Sequence, residues 1–165
     1  MNESQKDRYQ RGLDFQEECR RSWKLLPHIW RLRITDGRGL GTRPADELIL
    51  MENLNLLCEM KRTVGDVFTL SMLRTDQVKG LLQFEQVLER NRGLVFVSFN
   101  SDDLDTAYAF RLYDALRYMK KQGRRYITEA ELRQEEIPAV DLPRISIDGE
   151  PGYDFRGLVN GNTIK

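Results

Sequence analysis

The sequence is short of histidine and cysteine. His28 is its single histidine, and its two cysteines, Cys19 and Cys58, stand far apart with no CxxC and no histidine near either. A structural zinc site gathers four such ligands, so this chain has no basis for one. Two distant cysteines make no disulfide framework either. They read as buried thiols in a reducing, cytoplasmic setting. His28 follows Pro27 at a strand start and is expected to be structural. Long apolar runs are missing too. The longest are about five residues, against the roughly 20 that a membrane-spanning helix requires. The opening stretch MNESQKDRYQRG is polar and mixed in charge, unlike a secretory leader. No GxSxG, P-loop or GxGxxG occurs, which leaves serine-hydrolase and nucleotide-binding readings without a motif. Excess charge is the last absence. Lys plus Arg and Asp plus Glu both total 26, for a net charge of zero. A protein that coats DNA is strongly basic, so any nucleic-acid binding here must come from uneven placement.

The placement is uneven. Between residues 20 and 43, Arg20, Arg21, Lys24, Arg31, Arg33, Arg38 and Arg43 face a single acid, Asp36, whereas the stretch from Glu129 to Asp154 is acidic. A second basic run, Lys120, Lys121, Arg124 and Arg125, either complements a helix C-terminus or touches DNA. The loop DGRGLGTRP, residues 36–44, is either a plain connector or a basic segment laid along a phosphate backbone.

At 165 residues, with 40% hydrophobic and 32% charged, the chain is sized for one domain with a real core. Helical spacing predicts a first helix over 4–26, capped by Ser4 and stopped by Pro27. HIWRLRI, 28–34, reads as a strand. DELILMENLNLLCEMK, 46–61, reads as a hairpin turning at Glu52-Asn53. Both of its strands are apolar enough to be covered on both faces. Residues 62–71 read as a loop, 72–91 as a second helix, 93–100 and 106–112 as strands, and Tyr113–Gln122 as a short helix, with another at Thr128–Glu135. The order, α-β-β-β-α-β-β-α, predicts an α/β fold with a mixed sheet flanked by helices. The expected organisation is one domain over 1–136 and an irregular C-terminal extension, 137–165, packed on it or trailing from it.

Within this order LLCEMKRT, residues 56–63, stands out. Glu59 and Lys61 are two apart on a strand and so share a face of the sheet. In an antiparallel hairpin Asp46 lies beside them. Two carboxylates and an ammonium at one sheet end suit Mg²⁺-assisted hydrolysis of a phosphodiester. On spacing alone, a solvated ion pair at a strand end explains the same residues.

Several segments in order resemble a known family: RGLDFQEECRRS, WRLRITD, RPADELIL, CEMKRT, LRTDQVKGL and, near the end, GYDFRGLV. They resemble the RecU-like group, also known as penicillin-binding protein-related factor A, which includes Holliday junction resolvases of Firmicutes and their phages and belongs to the PD-(D/E)xK nuclease superfamily. The likeness spans residues 11–115, with an echo to 158. It implies a restriction-endonuclease-like fold and a homodimer that cuts branched or four-way DNA. It further implies Asp46, Glu59 and Gln77 at Mg²⁺ (or Mn²⁺), with Lys61 positioning the attacking water. Arg31 would contact a phosphate near the scissile bond, and Thr63 and Ser71 would lie near the DNA strand. The basic stretch adds Arg33, Arg38 and Arg43 as DNA contacts. The chain departs from the family twice. Gln16 stands where members often have a glutamate after the first-helix aromatic, and Glu17 or Glu18 would replace it only if the helix shifted register. The 35–45 loop, TDGRGLGTRPA, is short where RecU proteins carry a stalk, and Pro44 stands at a threonine position. These departures keep two alternatives open: a non-catalytic DNA-binding protein on the same fold, and a nicking or restriction-like nuclease with no junction preference.

Overall fold

The structure is a computed structural model and describes residues 4–35 and 43–164. The first helix, α1 (Gln5–Ser22), begins at the expected cap: the Ser4 hydroxyl accepts a hydrogen bond from the Asp7 amide at 3.2 Å. One 3-10 turn, Trp23–Leu25, closes it before Pro27. The chain continues through β1 (Trp30–Arg33), β2 (Glu47–Leu50), β3 (Asn55–Thr63), β4 (Val67–Thr69), α2 (Thr75–Val87), β5 (Asn91–Asn100), β6 (Asp105–Arg111), α3 (Leu112–Gln122), β7 (Tyr126–Thr128), α4 (Glu129–Arg133), β8 (Ala139–Asp141), β9 (Arg144–Ile147), β10 (Glu150–Tyr153) and α5 (Gly157–Asn160).

The main sheet runs β1-β2-β3-β5-β6-β8. Only β3 and β5 pair in parallel; the other neighbours are antiparallel. A parallel pair needs a crossover, and α2 supplies it. α2 crosses β5 so closely that a Cβ on Gly93 would stand 2.4 Å from the Leu81 carbonyl oxygen. This is the mixed α/β, restriction-endonuclease-like architecture that the sequence led us to expect.

Alternation along β3 sorts its side chains into two cores. Leu56, Cys58 and Met60 pack with Phe15, Cys19 and Trp23 of the α1 side. Leu57 faces the other way, toward Leu81, Phe68, Ala115 and Met119. Both faces are covered, as the apolar strands require.

Three expectations change. Residues 62–71 are not all loop: β3 runs to Thr63, and β4 pairs antiparallel with β7. Three-residue strands are too short to show a period in sequence. The second helix is shorter than 72–91. A 3-10 turn, Leu70–Met72, precedes it, and Asn91 and Arg92 already belong to β5. Residues 137–165, read as irregular, carry three strands and a helix, and Tyr153, Phe155, Leu158 and Ile164 are buried in the α1-side core. Their prolines fit that regularity. Pro138 and Pro143 precede strands, and Pro151 sits in a two-stranded sheet.

Candidate active site

The β2–β3 ladder ends at the pair Glu47–Cys58. The next β3 amide facing β2, that of Met60, therefore has no strand partner. The Asp46 side chain takes it: Met60 N donates to Asp46 Oδ2 at 2.8 Å. The Asp46 backbone N–H in turn donates to the Cys58 carbonyl at 2.9 Å. This fixes the Asp46 carboxylate at the end of the sheet, beside the half-buried C-terminal part of β3.

Glu59 lies one residue past the end of that ladder and is 2% exposed. Its Oε1 accepts a hydrogen bond from Gln77 Nε2 at 2.7 Å and an ion pair from Lys61 Nζ at 2.7 Å. Gln77 is the third residue of α2, and its side-chain Oε1 accepts from the Arg74 backbone N–H at 2.9 Å, closing the helix N-terminus. One glutamine thus ties the helix end to the carboxylate. The second oxygen of Glu59, Oε2, is buried and has no hydrogen-bond partner.

Burial pushes the Glu59 carboxyl up to about 7, and the negative charge of Asp46 adds to the rise, while Lys61 and Arg43 oppose it. The other Asp46 oxygen, Oδ1, accepts from Gln16 Nε2 at 3.2 Å and is paired with the Arg43 guanidinium. Gln16 reaches it because the preceding residue, Phe15, is buried in the core and pins that turn of α1.

The structure therefore brings together Gln16, Arg43, Asp46, Glu59, Lys61 and Gln77. It keeps other candidates apart. Glu17 is exposed and paired with Arg20. Glu18 turns to the α1-side core, where it pairs with Arg62 and accepts from the Tyr153 hydroxyl at 3.0 Å. Arg31 donates to the Arg20 carbonyl at 2.7 Å. Its charge reaches Glu47, whose carboxyl is raised by burial and pulled back first by Arg31. Arg33 is in register with Glu47, at the site's end of β1. The Thr63 hydroxyl accepts from Gly65 N at 3.3 Å, and Ser71 and Thr69 share a hydroxyl hydrogen bond of 2.9 Å. Arg38 lies outside the described residues. His28 stands in the left-handed region (φ 56°) before β1, at the end of the sheet away from Asp46.

Two residues went unnoticed in the sequence. Arg74 precedes α2 and is bound by Gln77; a Ser or Thr there would have announced a capping box, and an arginine does not. Arg62 follows Lys61 and so points into the α1-side core. A charge on an apolar-facing strand position demands a partner, and that signal was available in the alternation.

The second basic run also falls into place. β6 is antiparallel to β5, so α3 starts at the far end of the sheet and returns toward the site over its 11 residues. That puts Lys120 and Lys121 at the site's end. Leu70 N donates to the Arg125 carbonyl at 2.9 Å, which sets Arg125 beside the turn leading into α2. Arg124 is instead bound to Glu131.

A divalent cation fits this donor set. A buried glutamate oxygen stands without a partner, and the charge of Asp46 opposes the ionisation of Glu59, a repulsion that a cation relieves. The set contains two carboxylates only: among the described residues no group of three or more His, Cys, Asp or Glu is arranged to hold a metal.

No family model and no curated protein matches the sequence. A solved structure matches the fold: the 1.6 Å resolution structure of Archaeoglobus fulgidus Hjc, a Holliday junction resolvase from an archaeal hyperthermophile. The likeness has a TM-score of 0.50 at 17% sequence identity and covers 72% of this chain and 89% of that chain. Identity this low speaks for a shared fold. No described helix is long and apolar enough to cross a membrane.

Proposed function

We propose that the protein is a divalent-metal-dependent endonuclease that hydrolyses phosphodiesters in branched DNA. One observation carries the reading: the buried Glu59 carboxylate is held on one oxygen by Gln77 and Lys61 and left open on the other, next to Asp46. Such an arrangement is costly unless something uses it. Asp46 and Glu59 would hold the cation. When bound, it neutralises phosphate charge and lowers the pKa of a coordinated water. The protein's own groups do the rest. Gln77 locks the Glu59 rotamer. Lys61 offers a charged donor, on the same face of β3, to the oxygens that gain charge as water attacks phosphorus. Arg31, Arg33, Arg38, Arg43, Thr63 and Ser71 would line the path of the DNA backbone.

The fold shared with a junction resolvase and the order of the sequence motifs both support a RecU-like assignment and branched DNA as substrate. A homodimer follows from the chemistry, since symmetric cutting of two strands needs two sites related by a two-fold axis.

One observation favours a second reading, a DNA-binding protein without activity. Asp46 Oδ1 meets an amide from Gln16 and a cation from Arg43, where an additional carboxylate would strengthen metal binding. Labelled four-way junction and linear duplex, each incubated with Mg²⁺ and with EDTA, separate the two. The nuclease reading expects Mg²⁺-dependent cutting with the junction preferred. Uncut DNA at high protein excess would leave the binding reading standing, and equal cutting of linear duplex would point to a nicking enzyme.

A further inference from the structure

Arg43 occupies an unusual place for a residue expected to touch DNA. Its guanidinium is paired with Asp46 Oδ1, and its Nε donates to the Ala45 carbonyl at 3.3 Å. Asp46 Oδ2 is held by the Met60 amide, and Oδ1, which also accepts from Gln16 Nε2 at 3.2 Å, is the oxygen whose charge Arg43 neutralises. Arg43 also acts on Glu59, opposing the rise in its pKa. One guanidinium thus serves both carboxylates electrostatically, as a metal ion would.

The backbone around Arg43 is held as firmly as its side chain. Arg74 Nη2 donates to the Arg43 carbonyl at 3.2 Å. The next residue, Pro44, lies flat on α2 at Gly80: a Cβ on Gly80 would come within 2.5 Å of Pro44 Cβ and 3.2 Å of Pro44 Cα. Only glycine allows that approach. The first half of α2 and its cap therefore position Arg43 through Arg74 and Gly80, and Glu59 through Gln77.

We propose that Arg43 is a resident counter-ion of the metal site, which holds Asp46 in the metal-free protein and must leave it before a divalent cation binds. This rests on reading Asp46 and Glu59 as metal-binding carboxylates. A guanidinium and a cation compete for the same oxygen, so each weakens the other's hold. A phosphate group offers the guanidinium a better-matched, two-pronged partner. A DNA backbone that draws Arg43 away leaves Oδ1 with only the neutral Gln16 amide, which competes with a cation far less than a guanidinium does. Substrate binding would thereby promote metal loading, and the site would hold little metal without DNA.

The test is calorimetric titration of Mg²⁺ into the full chain without DNA. Arg43→Ala is expected to bind Mg²⁺ about tenfold more tightly than wild type, the equivalent of one ion pair lost from the metal-free state. Gly80→Ala, which changes no charge but pushes on Pro44, should shift affinity in the same direction by several-fold. It carries the test alone if Arg43→Ala does not fold. Lys79→Ala removes an exposed cation on the same helix and should change nothing. Equal affinities for wild type, Arg43→Ala and Gly80→Ala overturn the proposal, as does equal tightening by Lys79→Ala, which would mean a general charge effect. Binding that survives intact in Asp46→Asn, or that none of the proteins shows, overturns instead the assignment of the metal site on which the proposal stands.

Discussion

Glu59 holds its carboxyl where charge is disfavoured, and the sign of that effect is measurable. Its pKa of about 7 in the metal-free fold exceeds the roughly 4.3 of an unfolded chain. Between those two values the native state binds more protons than the unfolded one, so stability falls as pH rises from about 4.5 to 7. In EDTA, urea midpoints of wild type should decline across that window, whereas Glu59→Gln should decline less, keeping only the fall due to other raised carboxyls such as Glu47, and should be more stable than wild type above pH 7. Mg²⁺ at 100 times the dissociation constant, a high concentration without DNA because Arg43 competes for Asp46, should stabilise wild type at pH 8 by about 2.7 kcal/mol and leave Glu59→Gln unmoved. A wild-type midpoint that does not change between pH 5 and 8 in EDTA would refute the assignment of this charge. Lys61 and Gln77 belong to the same account, since both place a hydrogen on Glu59 Oε1 and leave Oε2 open.

β3 shows how one element carries both a site and its anchor. Glu59 and Lys61 face α2, and Arg62 faces α1, where it binds Glu18, the Tyr153 hydroxyl at 3.0 Å and the Ser98 hydroxyl at 3.0 Å. Arg62→Met strips Glu18 of its main counter-charge inside the core, leaving Tyr153 and a 3.5 Å contact to Arg144. The expected loss is roughly 3 kcal/mol, read as a drop in urea midpoint. Replacing Glu18 by Leu as well should recover most of it, because no buried charge then lacks a partner. The elements that were legible in sequence are those whose signals are local. Ser4 before an amphipathic run marked α1, and period-two alternation placed Glu59 and Lys61 on one face. A short turn at Glu52-Asn53 brought Asp46 beside them. What was hidden depends on distant partners. β4 and β7 pair across more than fifty residues of chain with three residues each. Gln16 meets Asp46 only once α1 is docked, and the burial of Phe155 and Leu158 requires the finished α1-side core.

At the scale of the molecule, zero net charge conceals a sorted surface. β1, with Arg33, lies two strands to one side of β3. α4, which follows β7 directly, is fastened over β6, two strands to the other side, by the Tyr108 hydroxyl donating to Glu129 at 2.7 Å. Lys120, Lys121 and Arg125 stand at that flank. Arg33 and the Lys120, Lys121 and Arg125 group thus lie on opposite sides of β3, a layout that would suit diverging duplex arms under the proposed branched-DNA function. If both groups meet phosphates, the double substitution Lys120→Glu and Lys121→Glu should weaken junction binding and reduce the slope of log K against log salt by about 2. Fluorescence anisotropy between 50 and 200 mM salt reads both quantities. An unchanged slope would return these lysines to the helix C-terminus they cap.

The whole account turns on whether the cluster at the end of β3 performs chemistry, and Lys61→Ala asks that directly. Single-turnover cleavage of a labelled four-way junction in Mg²⁺, measured beside junction binding in Ca²⁺, should show binding kept within a few-fold. Cleavage should fall at least about a hundredfold, the usual loss when a group that stabilises developing charge is removed. A variant that cuts as fast as wild type, or a wild type that never cuts, would contradict it.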